Sequence, residues 1–181
     1  MPRVHHVKKA RKDNPACKKG ESYYWWKFRY GGKRFSKTYP KSSELTQSEF
    51  LSQVYELNER IEDLDVDNIE DLKFEIEDIA GEYRQLGEEQ EEKLYNMPDH
   101  LQDTSDAGEL LRERSEGCET VADELENIDT DIDEDSIKEE VKSELGEDAE
   151  EDEIEDEIKS RVQDRFEEVL SEVQSLQYDG G

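Results

Sequence analysis

Residues 22–40 read SYYWWKFRYGGKRFSKTYP, the one stretch of this chain in which aromatic and basic residues interleave. The Gly31-Gly32 pair at its centre is a hairpin signal, because a two-residue type I′ turn needs positive φ at both central positions. Pairing across that turn sets Tyr30 against Lys33, Phe28 against Phe35, Trp26 against Lys37 and Tyr24 against Tyr39. Side chains alternate between the two faces of a strand. One face is therefore expected to carry Tyr24, Trp26, Phe28, Tyr30, Phe35 and Tyr39, with Lys33 and Lys37 at its margin. The other carries Tyr23, Trp25, Lys27, Arg29, Arg34, Ser36 and Thr38. A two-stranded ribbon is marginal alone, so the aromatic face is expected to pack on the first helix. That leaves Lys27, Arg29 and Arg34 free to meet a DNA major groove or unpaired bases.

Charge divides the chain at the end of this stretch. Residues 1–41 hold 13 Lys/Arg against the acids Asp13 and Glu21, a net of +11, and residues 42–181 hold 11 against 50, a net of −39. A basic arm seeks phosphate or an acidic protein surface; an acidic body repels nucleic acid and can imitate it. Upstream, residues 1–21 (MPRVHHVKKARKDNPACKKGE) lack apolar periodicity and contain Pro15 and Gly20, so a flexible basic tail is expected. His5 and His6 are adjacent but have no further ligands at metal-site spacing. Cys17 and Cys118 form no CxxC pair and read as free thiols of a reducing compartment.

Downstream the pattern is helical. Leu, Ile, Val and Phe total 37 residues, a share at which composition alone does not separate folded from disordered chains, so periodicity has to decide. Phe50, Val54, Leu57, Ile61 and Leu64 recur at spacings of four and three, as do Ile69, Leu72, Ile76, Ile79, Tyr83 and Leu86. Ser42, Ser43 and Thr46 are candidate caps of the first helix and Asp67 of the second. Gly81 and Gly87 are each expected to weaken the second by about 1 kcal/mol relative to Ala. Pro98 ends it, and residues 96–99 reverse the chain. A third stripe runs through Ala107, Leu111, Cys118, Val121, Leu125 and Ile128. Asp129, Asp131, Asp133, Asp135 and Glu140 fall at EF-hand-like positions, but Glu134 stands where that loop needs glycine, so a solvated acidic linker is expected instead. A short helix through Ile137, Val141 and Leu145 ends at Gly146. Residues 147–157 form a charge run expected to fray, a last helix carries Ile154 to Leu176, and residues 178–181 are expected as a frayed end.

The fold class expected is mainly α: elongated acidic helical hairpins or a coiled coil, with a small N-terminal basic β-hairpin. The expected organisation is a tail over 1–21, the hairpin over 22–41, a helical hairpin region over 42–128, and an acidic linker with C-terminal helices over 129–181.

Two stretches resemble known families. WWKFRYGGKRFSKTYP resembles the arm-DNA-binding hairpin of phage-type tyrosine recombinases, departing from it at Lys37, where those hairpins carry a small residue pair. Their catalytic domain has no counterpart here, so the resemblance implies a binding role alone. LGEEQEEKLYNMPDHLQ, residues 86–102, with the DTSDAGELLRERSEGCE that follows, is similar to small uncharacterised proteins of phages and mobile elements and brings no activity with it.

The function expected is a non-enzymatic accessory protein of a phage or mobile element. It would bind DNA or RNA through Tyr23, Trp25, Lys27, Arg29, Lys33, Arg34 and Lys37, while the acidic body makes partner contacts or oligomerises. Two other readings stand beside it: a scaffolding coiled coil, and a nucleic-acid mimic that inhibits a host defence or nucleic-acid enzyme. With 52 acids, carboxylate pairs carry no information about acid/base work, and no nucleophile–base set or phosphate-cradling glycine motif is present. No cofactor or metal is expected. The partners expected are nucleic acid, a host protein or further copies of the chain. Without an apolar run of about 18 residues, no membrane role is expected, and the location expected is cytoplasmic, that of the host if phage-encoded.

Overall fold

A computed structural model describes residues 1–146 and 150–180, and the chain divides into two units, Met1–Leu57 and Asn58–Gly181. It is mainly helical, with a small antiparallel sheet near the start of the chain.

In the first unit, β1 (His5–Val7), β2 (Tyr23–Lys27) and β3 (Lys33–Ser36) pair in the order β1-β2-β3. The tail expected over residues 1–21 is therefore corrected: His5 pairs with Trp25, His6 with Tyr24 and Val7 with Tyr23. A third strand matters energetically, since a lone ribbon is marginal. The β1–β2 loop is held by its few acceptors. Asn14 Oδ1 accepts from the Ala16 and Cys17 amides, Asp13 from the Lys19 amide and Glu21 from the Lys18 amide. Ala10 N donates to Glu21 O at 2.8 Å and Gly20 N to Ala10 O at 2.9 Å, with Gly20 at φ 99°, a left-handed conformation suited to glycine.

The hairpin register also differs from expectation. Trp25 pairs with Phe35 and Trp26 with Arg34, so the connection spans residues 28–32, and neither Gly31 nor Gly32 takes positive φ. Gly31 N donates to Phe28 O at 3.3 Å instead. The five-residue connection accompanies a burial. Phe28 leaves the ladder to join Trp26 and Leu45 in a small core covered by Val4. The Trp26 indole N–H donates to Glu44 O at 3.2 Å from the 3₁₀ turn Ser43–Leu45, which satisfies the polar edge of a ring only 1% exposed.

Helix α1 (Glu49–Glu62) buries Phe50, Val54, Leu57 and Ile61, the expected seam. Its cap is Ser48, whose Oγ accepts from Leu51 N at 3.3 Å; Thr46 supports Ser48, and Ser43 is buried in the 3₁₀ turn.

In the second unit, α2 (Ile69–Tyr95) and α4 (Asp106–Glu126) form an antiparallel hairpin, joined through the short α3 (Asp99–Gln102). Asn68, one residue after the expected Asp67, caps α2 by accepting from Asp71 N at 2.8 Å. Ser105 caps α4, and Gln102 Nε2 donates to Met97 O at 2.8 Å across the reversal. Gly87 lets the two helices approach: an added Cβ would meet Ser115 O at 3.2 Å and Cys118 Cβ at 3.3 Å. Cys118 itself is fully buried beside Val121, Ala122 and Leu125 in the α4 stripe.

Helix α5 (Glu134–Leu145) is capped by Asp133 and ends at Gly146, φ 84°. It draws Asp135 and Glu140 into a helix, a geometry different from a calcium loop. Helix α6 (Glu151–Ser175) buries Phe166, Val169 and Val173, and Arg161 ties it to Glu144 of α5. The charge run is helical from Glu151 onward, while residues 147–149 of that run and Gly181 lie outside the described residues. Residues from Asn58 onward form one unit. Tyr178 is not frayed: Asn58 Nδ2 donates to its carbonyl at 2.8 Å, and its own amide donates to Asn58 Oδ1 at 3.2 Å.

Candidate nucleic-acid interface

Strand pairing sorts the sheet residues by face. His5, Val7, Tyr23, Trp25, Lys27, Lys33 and Phe35 share one face; His6, Tyr24, Trp26, Arg34 and Ser36 share the other, where Trp26 enters the core. Of the seven expected contact residues, Tyr23, Trp25, Lys27 and Lys33 come together. Arg34 lies on the opposite face, its guanidinium 5.1 Å from the Phe28 ring, because the register is offset by an odd number of residues. Arg29 sits in the β2–β3 connection, 5.3 Å from the exposed Tyr30 ring, and Lys37 is exposed beyond the end of β3.

The shared face is built around Trp25. The His5 ring stacks on it with centroids 4.2 Å apart and planes 9° apart, and Lys33 Nζ stands 4.3 Å from the same ring. His5 comes from β1 and Lys33 from β3, strands on opposite sides of β2, so the indole joins all three strands. Tyr23 and Phe35 extend the row, centroids 6.1 Å apart. His5 and Phe35 are members that the hairpin reading did not assign to this face. The signal for His5 was the adjacent histidines, whose rings alternate onto Trp25 and Tyr24, the latter stack at 4.5 Å, while Phe35 came with the register.

Electrostatics sets this face apart. Lys27 and Lys33 are direct cross-strand partners, both exposed. Like charges directly opposite each other destabilise a sheet, so the pair gains from any anion that sits between them. None of the 12 Lys and Arg residues from Arg3 to Lys37 makes an ion pair with a carboxylate among the described residues. In the second unit five arginines, Arg161 among them, meet carboxylates. Arg60 meets Glu75, Asp78 and Glu82; Arg84 meets Asp123 and Glu126; Arg112 meets Asp103; Arg165 meets Glu168. Hydrogen bonds from Arg84 hold the Glu126 carboxyl below the usual carboxylate range, and those from Arg161 do the same for Glu144. Beside the lysine pair, Lys27, Arg29, Phe28, Leu45, Thr46 and Gln47, with Met1 and Pro2, line an open cleft of about 450 Å³.

Among the described residues no group of three or more His, Cys, Asp or Glu side chains is placed to hold a metal, and no helix is long and apolar enough to cross a membrane. Comparison with protein-family models, with curated proteins and with solved structures returned no match to this chain.

Proposed function

We propose that this protein binds duplex nucleic acid through the sheet face that carries Trp25, Lys27 and Lys33, with the basic β1–β2 loop adding phosphate contacts. The observation that carries this reading is the Lys27–Lys33 cross-strand pair, two exposed like charges left without a carboxylate. A fold keeps such a pair at a cost in stability, and a phosphate between the ammonium groups converts repulsion into attraction. Duplex is favoured over unpaired bases because the Trp25 ring is already stacked on by His5 and approached by Lys33 Nζ at 4.3 Å, contacts that a stacking base would have to displace. Phosphate contacts position a protein on nucleic acid and base-edge contacts specify the site; here the lysines serve the first role and Tyr23 and Phe35 stand where groove edges would pass.

In this reading the −39 region, as helical hairpins or a coiled coil, makes partner contacts or oligomerises, and the chain serves a phage or mobile element as a non-enzymatic accessory protein. The test is fluorescence anisotropy of the full chain with labelled duplex and single strand across a salt series. Duplex binding that weakens steeply with salt supports the proposal, since each neutralised phosphate contributes about −0.9 to the log–log slope. Salt-insensitive binding, or none, overturns it.

A further inference from the structure

The segment that follows α6, residues 176–180, lies in a slot of the second unit that reads it as a ligand would be read. Asn58 engages both main-chain groups of Tyr178, donating to its carbonyl at 2.8 Å and accepting from its amide at 3.2 Å. The Tyr83 hydroxyl, on a side chain that is fully buried, donates to Asn58 Oδ1 at 2.7 Å and fixes which way the amide faces. Arg114 Nε donates to Gly180 O at 3.3 Å. Gly117 supplies the room: a Cβ there would stand 2.5 Å from the Tyr178 ring. At the entrance, Gln174 Nε2 donates to Leu64 O at 3.0 Å and Gln177 Nε2 to Glu62 Oε1 at 2.5 Å. Leu176 is already extended, φ −77° and ψ 128°, so the bound segment has left the helix.

These contacts differ from ordinary core packing. A side-chain amide that pairs with both main-chain groups of one residue imitates a neighbouring strand, the way extended peptides are recognised. A pre-oriented Asn58 and a clearance cut for one ring add specificity for tyrosine. We infer that the slot formed by Asn58, Tyr83, Arg114 and Gly117 is a peptide-recognition site for an extended tyrosine-bearing segment. Residues 176–180 occupy it in cis, and the same segment of a second copy exchanges into it. Tethering raises the effective concentration of the cis segment, so exchange shows itself only when that segment is weakened.

The test uses the full chain with Tyr178→Ala and a labelled synthetic peptide, QSLQYDGG, read by fluorescence anisotropy. The expected result is saturable binding to the variant, at least about tenfold tighter than to the wild-type chain, whose own segment competes. Binding should be lost when Asn58→Ala is added or when the peptide carries alanine for its tyrosine. Equal binding to variant and wild type, or equal binding of both peptides, overturns the inference. If Tyr178→Ala lowers helix content, recovery of the circular dichroism signal on adding QSLQYDGG supports the slot, and failure to recover counts against it.

Discussion

Lys33 Nζ stands 4.3 Å from the centre of the Trp25 ring, on which the His5 ring also stacks. The indole is thus the joint between β1 and β3, and the first unit depends on it more than its partial exposure implies. Trp25→Ala removes an aromatic stack and a cation–π contact together. The expected cost is about 1–2.5 kcal/mol of stability, visible in urea unfolding followed by the fluorescence of the buried Trp26.

Lys27→Glu separates stability from binding. Opposite Lys33 it replaces like charges by an ion pair, and the fold should gain about 0.2–1 kcal/mol. Affinity for duplex should nevertheless fall at every sequence, and the salt slope should shrink by about one. Thermal melting and anisotropy on the same protein check both directions; a structural role for Lys27 alone would move only the first.

Two glycines of α2 should respond oppositely to alanine. Gly81 has nothing within 4 Å of an added Cβ, so Gly81→Ala should stabilise by about 0.5–1 kcal/mol through helix propensity. At Gly87 the α4 backbone stands in the way, so Gly87→Ala should destabilise despite the same propensity gain. Urea midpoints of the two variants test this pair.

Burial pushes the Cys118 thiol up to about 12 from 9.0 and the Tyr178 phenol up to about 12 from 10.0, and it raises the Tyr83 phenol further. Each group binds its proton more tightly folded than unfolded. Their contribution to stability is therefore complete below about pH 9 and is lost as pH rises toward 12. Unfolding free energy should decline over that window. Cys118 should also resist a thiol reagent at pH 8 until the chain is unfolded.

Much of the helical region was legible because apolar residues at three- and four-residue spacing fixed both faces and lengths: α2 ends at Tyr95, just before the chain reversal at Pro98. Caps were misplaced by a residue or more where several polar residues compete, as at Asp67 and Asn68. The sheet was harder. β1 is three residues long and shows its role only through rings on another strand. The Gly31-Gly32 pair spelled a tight turn, whereas the chain makes a longer connection from which Phe28 joins the Trp26–Leu45 core, a tertiary contact that local spelling does not display. Of the candidate site, Tyr23, Trp25 and Lys27 share one face as the alternation implied, while the shifted register brought Lys33 onto that face and carried Arg34 off it. The slot around Tyr178 left no readable trace, since its members Asn58, Tyr83, Gly117 and Tyr178 are spread along most of the second unit.

Contact between the Trp25–Lys27–Lys33 face and nucleic acid is best observed by titrating isotope-labelled full chain with a short duplex and following the amide and indole signals. The largest shifts should fall on β2 and β3, include the Trp25 indole, spare the buried Trp26 indole and collapse as salt is raised. Shifts confined to the helices of the second unit, or no shifts at low salt, would contradict it.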